Sequence, residues 1–311
     1  MANISKSAPA AGKPMTGIFS RRSTSDVVFD VFNTIFMVLF SIVILYPLLN
    51  MVAVSLNDGL DGLKGGITLW PRVFTWKNYK TVLTDPAIYV GARVSVLRTV
   101  IGTLSATFVT ALLAYILSRK DFMFKRPLSL LYVVTMYVNG GLIPVFLVYK
   151  ALGMTNSFWV YILPGMVPAF SMLVLRTYMN GLPDSLAESA MIDGAGHFTI
   201  FFKIILPLCM PVIATVALFT AVGQWNSWFD AMIYNRMNDN LTTLQYELMK
   251  KLSSVTSQQA SAETMKQAKA TVTSKSLRAA STVVTSLPII VLYPFLQRYF
   301  VAGLTIGGVK E

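Results

Sequence analysis

The feature that most constrains this sequence is a set of long stretches without any charged residue. A helix needs about 20 mostly apolar residues to cross the hydrocarbon core of a bilayer. Six uncharged stretches come close to or exceed that length, at residues 31–57, 99–118, 127–149, 151–175, 204–229 and 279–297. We therefore expect six transmembrane helices, and an even number places both termini on the same side of the membrane.

Composition supports a membrane protein rather than a soluble one. Only 13% of the 311 residues are charged and 54% are hydrophobic, whereas soluble domains carry about 25% charged residues. The formal net charge is +12, and in so apolar a chain this basic excess is better explained by anionic lipid headgroups than by nucleic acid. We expect membrane lipid, and no nucleic acid, among its partners.

The ends of the chain differ in composition from the membrane domain, which we place at residues 27–303. Residues 1–26 are rich in Ala, Ser, Pro and Gly and contain Arg21 and Arg22, which predicts a disordered basic tail. A cleavable signal peptide is not expected, because the next uncharged stretch is much longer than an h-region of about 7–15 residues. Residues 304–311 form a short C-terminal tail in this scheme.

Several kinds of chemistry lack their motifs. The sequence has no G-x-x-x-x-G-K-[ST] loop to hold ATP, no H-E-x-x-H and no G-x-S-x-G. Its single cysteine, Cys209, and single histidine, His197, exclude an internal disulfide and the usual zinc sites. The six stretches contain no Asp, Glu, His, Lys or Arg, although ion-coupled carriers usually have such groups at membrane depth. We expect no enzyme activity and no bound cofactor or metal, but a passive pathway driven from outside.

The most informative segment lies between the fourth and fifth stretches, at residues 184–196. Asp184 or Ser185 is a suitable N-cap for a short helix. Leu186, Ala190 and Met191 would form an apolar stripe, with the acidic side chain of Glu188 beside it. A short surface helix with small residues and one acid is suited to a cleft on a cytosolic partner.

Two kinds of residue predict where this helix and the next one are bounded. Gly194 and Gly196 are expected to end the surface helix, since glycine readily adopts a positive φ. Pro207 is expected in the first turn of the following span, where its missing N–H has little effect.

At these residues the sequence resembles the membrane subunits of ATP-binding-cassette (ABC) importers. Their signature is E-A-A, three residues, G, nine residues, then I-x-L-P. Glu188, Gly194, Ile204, Leu206 and Pro207 stand at those spacings, and Ser189 replaces the second motif residue, alanine. The resemblance implies an all-α membrane protein with the type I ABC importer permease fold: six transmembrane helices and a cytoplasmic coupling helix at residues 184–196.

The resemblance also implies a set of contacts and partners. The residues expected to couple to the ATPase are Asp184, Leu186, Ala187, Glu188, Ser189, Ala190, Met191, Asp193, Gly194 and Ala195. The expected partners are a second related permease, two nucleotide-binding subunits that hold ATP and Mg²⁺, and an extracytoplasmic solute-binding protein. Because the coupling helix is cytoplasmic in this family, both termini are expected in the cytoplasm.

Closer similarity is to carbohydrate importers of the maltose-transporter type, and within these to the branch for aldouronate and related oligosaccharides. Residues 114–120, 140–144, 225–229 and 293–303 carry it. This implies an oligosaccharide substrate, with acidic plant or algal glycan fragments as one possibility. A permease for a non-sugar solute, or a channel-like or structural membrane protein, remains the alternative.

Candidate substrate-pathway residues fall in two groups. Near the middle of the third stretch are Tyr137, Asn139, Gly140 and Gly141, where glycines interrupt a helix and either bare backbone carbonyls or merely kink it. At the end of the fifth stretch are Gln224, Trp225, Asn226 and Trp228. The tryptophans there could stack on a sugar or anchor the helix at the membrane interface.

Overall fold

The computed structural model of the protein describes residues 24–258 and 272–306. These residues are helical and contain no β-strand, apart from an isolated antiparallel bridge between Asn57 and Phe74. The chain divides into two units, Met1–Leu49 and Asn50–Glu311. The expectation of an all-α protein is thus confirmed for the described part of the chain.

The helices are α1 (Thr24–Ser55), α2 (Gly59–Gly62), α3 (Lys77–Leu83), α4 (Pro86–Ser118), α5 (Lys125–Tyr137), α6 (Leu142–Ala151), α7 (Ala169–Asn180), α8 (Ser185–Ile192), α9 (His197–Ile200), α10 (Leu206–Leu208), α11 (Met210–Asn226), α12 (Phe229–Tyr234), α13 (Leu244–Gln258) and α14 (Ser274–Ile306). Short 3₁₀ turns lie at Phe158–Tyr161, Leu163–Gly165 and Asp239–Leu241, and a π-helical turn at Phe201–Ile205.

Two of these helices, α1 and α4, are each long and apolar enough to cross a membrane. Two bent pairs pass the same test together: Phe158–Gly165 with α7, at an angle of 42°, and His197–Leu208 with α11, at 81°. By length and composition, the described residues therefore contain between two and four candidate spans. The count of six remains a prediction.

The predicted boundaries shift at the ends of the chain. Residues 24–26, assigned above to a disordered tail, already belong to α1, and residues 304–306 belong to α14. Residues 1–23 and 307–311 of the two predicted tails lie outside the described residues.

The second predicted span begins much earlier than the uncharged stretch at 99–118. Helix α4 starts at Pro86, after Asp85, whose Oδ1 accepts a hydrogen bond from the Ala87 N–H at 3.0 Å. Arg93 and Arg98 lie inside this helix. The absence of charge is therefore a poor guide to its start, because a paired arginine can be buried in a helix.

The third predicted span, at 127–149, is two helices. α5 ends at Tyr137 and α6 begins at Leu142. Between them Gly141 has a φ of +84°, and its N–H donates to Asn139 Oδ1 at 2.9 Å. The interruption predicted at these glycines is therefore present, because the chain adopts a conformation there that glycine tolerates best.

The fifth predicted span, at 204–229, begins with a distorted segment. A π-helical turn at Phe201–Ile205 leads into α10, and the chain then bends by 81° before α11. Pro207 was expected in the first turn of the span but lies near the end of the helical segment His197–Leu208, just before the bend, whereas Pro211 lies in the first turn of α11. Both prolines lack the N–H that would continue a straight helix, which accounts for a bend at this point.

The largest buried core joins α4, α7 and the segment from α8 to α11. Its buried members are Ala111, Ala114, Tyr115, Leu175, Met179, Ala187, Ile200, Phe201, Ile205, Cys209, Ile213 and Val216. Small residues on α4 allow close approach of the neighbouring helices, as is common in membrane bundles. Helix α4 also packs against α11 and α13, so it is the central element of this unit.

Buried polar contacts join α3 to the end of α1 and to α14. The side-chain amide of Asn78 donates to the backbone oxygens of Ser55 and Asn57, at 2.8 and 2.9 Å. Its Oδ1 accepts from the Ser276 hydroxyl at 2.9 Å. Because unpaired polar atoms are costly when buried, these contacts fix α3 in one position.

Candidate functional site: the surface helix α8 and the buried Arg98 cluster

Helix α8 begins at Ser185 with Asp184 in the N-cap position. The sequence predicted that Asp184 or Ser185 caps this helix. Asp184 occupies the N-cap position, but its side chain makes no capping hydrogen bond. Instead, Asp184 Oδ2 accepts from Lys120 Nζ, 2.5 Å away at the end of α4. This hydrogen bond from Lys120 lowers the pKa of the Asp184 carboxyl. The start of α8 is therefore tied to α4 by an ion pair.

One side of α8 is anchored and the other is free. Ala187 is 2% exposed and belongs to the main core. Ala190 packs against the same core. Exposed positions on the helix are Leu186, Glu188, Ser189, Met191 and Ile192. An exposed face with apolar side chains and one acid has the composition expected of a docking surface.

Helix α8 ends in a Schellman motif. The Gly194 N–H donates to the Met191 carbonyl at 3.0 Å, and the Ala195 N–H to the Ala190 carbonyl at 2.9 Å. Gly194 has a φ of +82°, as predicted. The prediction for Gly196 was wrong: its φ is −74°, and it precedes α9 in an extended conformation. The helix itself spans Ser185–Ile192, so Asp193 and Ala195 flank it.

The remaining signature residues connect α8 to α11. Ile204 and Leu206 pack against the main core, beside the buried Phe201 and Ile205. Pro207 is exposed and lies in α10. Since Ala187 belongs to the same core, a displacement of α8 would be transmitted directly to the start of α11.

A second site, not predicted from the sequence, surrounds Arg98. Its side chain is 2% exposed, and its Nη2 lies 2.6 Å from Asp230 Oδ2. Gln224 Oε1 accepts from Arg98 Nε and Nη2 at 3.0 and 2.9 Å. The Tyr161 ring covers the guanidinium, with its centroid 4.4 Å from Cζ. The charge is thus paired, hydrogen-bonded and stacked, as a buried arginine requires.

Close packing places Gln224 in this cluster. A Cβ on Gly102 would lie 2.8 Å from Gln224 Nε2, so any other residue at this point of α4 would make the Gln224 side chain shift from its present position. Gln224 Nε2 also donates to the Tyr161 carbonyl at 3.2 Å. This one side chain therefore connects α4, α11 and the 3₁₀ turn that contains Tyr161.

A cavity of about 460 Å³ opens beside the cluster. Its wall contains polar and aromatic side chains together with glycine and proline: Arg98, Tyr149, Tyr161, Pro164, Gly165, Pro168, Ser171, Phe219, Thr220, Gly223, Gln224, Ser227, Asp230 and Tyr234. Polar groups beside aromatic surfaces can hold a hydroxylated ligand, which needs hydrogen bonds at its edges and contact on its faces.

Among the predicted pathway residues, Gln224 lines this cavity. Trp225 is 8% exposed and packs in a different core, with its indole N–H donating to the Thr285 carbonyl at 3.0 Å. The Trp225 side chain is therefore engaged in packing and hydrogen bonding within this chain, and does not face the cavity. Asn226 is exposed and accepts from Gln245 Nε2 at 3.2 Å, whereas Trp228 is half-buried.

The other predicted pathway residues lie elsewhere. Tyr137, Asn139, Gly140 and Gly141 are all exposed at the junction between α5 and α6. Tyr137 is 83% exposed. The structure therefore does not bring these four residues together with Gln224 around the cavity.

The sequence contained one signal for the Arg98 cluster. Arg98 and Asp230 each stand immediately beside an uncharged stretch, at 99–118 and 204–229. A complementary pair of charges at the ends of two spans suggests a contact, but nothing in the sequence indicates that these two spans are neighbours.

We expect Gly194→Ala to destabilise the end of α8. Open space surrounds this Cβ position, so only the positive φ penalises alanine, by about 1–2 kcal/mol. Hydrogen exchange at the Gly194 and Ala195 amides should then accelerate about tenfold. Gly196→Ala is the matched control, because Gly196 also faces open space but has a negative φ. Equal exchange in the two variants would contradict this account.

We expect Asp230→Asn to lower the stability of the folded chain strongly. It leaves the Arg98 charge buried without a counter-charge, a loss of about 3–5 kcal/mol. Unfolding in detergent can be followed by the reaction of a fluorogenic maleimide with Cys209, the single cysteine, which is buried. The double variant Arg98→Met/Asp230→Leu should lose less than Asp230→Asn alone.

Asp239→Asn serves as the control for this measurement, because Asp239 is exposed and does not line the cavity beside the cluster. Its midpoint should match that of the unmodified protein. An unchanged midpoint in Asp230→Asn would show that the ion pair does not hold the bundle together.

Comparison with known proteins gives a consistent result. The model of the family described as "Binding-protein-dependent transport system inner membrane component" matches residues 10–306. The polygalacturonan/rhamnogalacturonan transport system permease protein YtcP of Bacillus subtilis is 36% identical over 282 residues, which cover 91% of this chain and 98% of that protein. Protein LplC of Bacillus subtilis is 34% identical over 284 residues, covering 91% and 95%.

A solved structure is also similar. It is described as a bacterial ABC transporter involved in the import of the acidic polysaccharide alginate, and the match has a TM-score of 0.80 at 28% identity. It covers 92% of this chain and 100% of that one. Because the family model matches nearly the whole sequence, this chain belongs to the family of binding-protein-dependent transport system inner membrane components.

Proposed function

We propose that this chain is a permease subunit of an ATP-driven importer for oligosaccharides, with acidic glycan fragments as the first candidates. The family match supports the transport role. Relatives of this chain are named for the transport of polygalacturonan, rhamnogalacturonan and arabinooligosaccharides, and the similar structure for the import of alginate. Polygalacturonan and alginate are polymers of uronic acids, which favours a negatively charged substrate.

The observation that carries the proposal is the geometry of α8. This helix is held to the core through Ala187, which is 2% exposed, and to α4 through the Lys120–Asp184 ion pair. Its other side exposes Leu186, Glu188 and Ile192. A helix that is firmly attached on one side and free on the other can receive a force from a partner and transmit it.

The partner in this proposal is a nucleotide-binding subunit in the cytoplasm. It would hold ATP and Mg²⁺, while this chain binds neither. The exposed apolar residues of α8 would enter a cleft on that subunit, with Glu188 facing a donor at its edge. Ser189 is exposed, so the hydroxyl that replaces the usual alanine methyl does not disturb the core of this chain.

The remaining arrangement follows from the same proposal. A second permease and two nucleotide-binding subunits complete the membrane assembly, and an extracytoplasmic binding protein delivers the sugar. Six spans then place both termini and α8 on the cytoplasmic side. ATP-driven closure of the ATPase pair would shift α8, the core around Phe201 and the start of α11, so that access to the pathway alternates.

The cavity beside Arg98 is the best candidate for part of the substrate pathway within this chain. Gln224, Ser171 and Thr220 supply hydrogen-bonding groups on its wall, and Tyr149 and Phe219 supply aromatic surface. The exposed predicted residues Tyr137, Asn139, Gly140, Gly141 and Asn226, and the half-buried Trp228, could contribute only where the partner permease closes the path. Trp225 is buried and contributes to packing.

The substrate class is tested by stimulation of ATPase activity in the reconstituted importer with its binding protein. Oligogalacturonides and alginate oligosaccharides should stimulate hydrolysis more than neutral arabino- or galacto-oligosaccharides of the same length. Stimulation by neutral sugars alone would reject an acidic substrate. A response to amino acids or peptides but to no sugar would support the alternative of a non-sugar permease.

The coupling role is tested by Glu188→Lys. Reversal of this exposed charge should abolish sugar-stimulated ATPase activity and uptake without affecting membrane insertion, because Glu188 is not part of the core. Asp239→Lys makes the same charge change at an exposed position outside α8 and should retain activity. Normal stimulated hydrolysis in Glu188→Lys would refute the role of α8.

A further inference from the structure

Arg119, which follows α4, is a mostly buried cation whose Nε has no hydrogen-bonding partner in the described part of the chain. Its side chain is 20% exposed, and its nearest carboxylate, Asp121, lies 3.7 Å from Nε. Among the described residues its Nε is fully buried and donates no hydrogen bond, and its Cζ lies 5.8 Å from the centroid of the Tyr115 ring. Arg98, within α4, by contrast donates hydrogen bonds to the carboxylate of Asp230 and the side-chain amide oxygen of Gln224. A buried N–H that donates no hydrogen bond is costly, and the long contact with Asp121 does not satisfy it, so the Arg119 Nε can donate to a further ligand.

Arg119 contributes to a polar pocket of about 320 Å³ between the end of α4 and α8. Lys120 and Lys125 also line it, and Asp184 is the carboxylate on its wall. Lys120 already pairs with that carboxylate at 2.5 Å. With Asp121 beside Arg119 counted as well, the three cations face two carboxylates, and this net positive charge suits an anion.

An apolar pocket of about 350 Å³ adjoins this polar one. Both pockets are lined by Tyr115 and Arg119. The apolar walls of the second pocket come from Leu112, Ile116, Phe122, Phe198 and Phe201. The hydroxyl of Tyr115, where the two pockets meet, is buried and has no partner among the described residues.

We propose that these two pockets bind one anionic phospholipid. Its phosphate lies between Arg119 and Lys125, and one acyl chain enters the apolar pocket along Ile116 and Phe198. A small soluble anion would satisfy the cations but leave the adjoining apolar surface unfilled. A lipid satisfies both, and cationic pockets between membrane helices on the cytoplasmic side are suited to phospholipid headgroups.

The lipid would act on α8 as well as on α4. Pro183, Asp184 and Ala187, at the start of α8, form part of the polar pocket. A phosphate there would attract Lys125 and would compete with Asp184 for Lys120, the cation that connects the start of α8 to the end of α4. The site thus makes the position of α8 dependent on membrane composition. This role is independent of which substrate the importer carries.

The test uses the complete importer in nanodiscs of phosphatidylcholine with an increasing fraction of phosphatidylglycerol. Phosphatidylglycerol retained by the complex is counted by native mass spectrometry, and ATPase activity is measured on the same samples. Arg119→Gln should raise the fraction needed for half-maximal retention and stimulation about fivefold, the effect of about one interfacial cation. Lys125→Gln should act in the same direction.

Arg126→Gln is the matched control, because Arg126 is exposed and lines neither pocket. It should behave like the unmodified protein. Phe198→Ala, which removes apolar wall without changing charge, should also weaken retention. An Arg119→Gln response equal to that of the unmodified protein or of Arg126→Gln would overturn the proposal.

The source of the phosphate is tested separately with soluble glycerol 1-phosphate added to pure phosphatidylcholine nanodiscs. We expect no stimulation, because this molecule has no acyl chain. If it replaced phosphatidylglycerol in full, the ligand would be a soluble phosphate ester and the lipid proposal would be wrong. Native mass spectrometry counts bound lipid whether or not the complex transports a sugar. A negative result for lipid binding is therefore distinguishable from a failure of the proposed import function.

Discussion

A guanidinium buried among membrane helices needs a counter-charge, and Arg98 finds it in Asp230, 132 positions further along the chain. That one requirement positions several elements together. Gln224 turns towards Arg98, Gly102 leaves space for Gln224 in that position, and the Tyr161 ring lies over the cation. Helices α4 and α11, which are far apart in sequence, are therefore aligned by charge as well as by apolar packing.

The cavity and the surface helix lie at different parts of this frame. The cavity borders the ion pair directly, so its shape depends on the charges that hold α4 to α11. Helix α8 is connected to the same two helices through the main core around Phe201 and through the Lys120–Asp184 pair. Both sites thus share α4 and α11 as their support. A partner that moves α8 would act on the elements that also form the cavity wall.

The sequence predicted local features well where one residue type permits one conformation. Gly194 was expected at a positive φ and has one, and the glycines at 140 and 141 interrupt a helix as expected. Gly196 was misjudged, because glycine allows a positive φ without requiring it. Trp225 could not be placed, since an aromatic residue at the end of an apolar stretch suits an interface or a core equally. Arg98 was missed because its partner is distant in sequence.

The π-helical turn at Phe201–Ile205 has a consequence for how this chain can vary. A π turn holds one residue more than an α turn, and each residue turns a helix by about 100°. Loss or gain of a single residue here would rotate Ala187 and the rest of α8 away from the core relative to α11. The number of residues between Gly194 and Ile204 is therefore under stronger constraint than their identity, so insertions and deletions should be rarer there than substitutions.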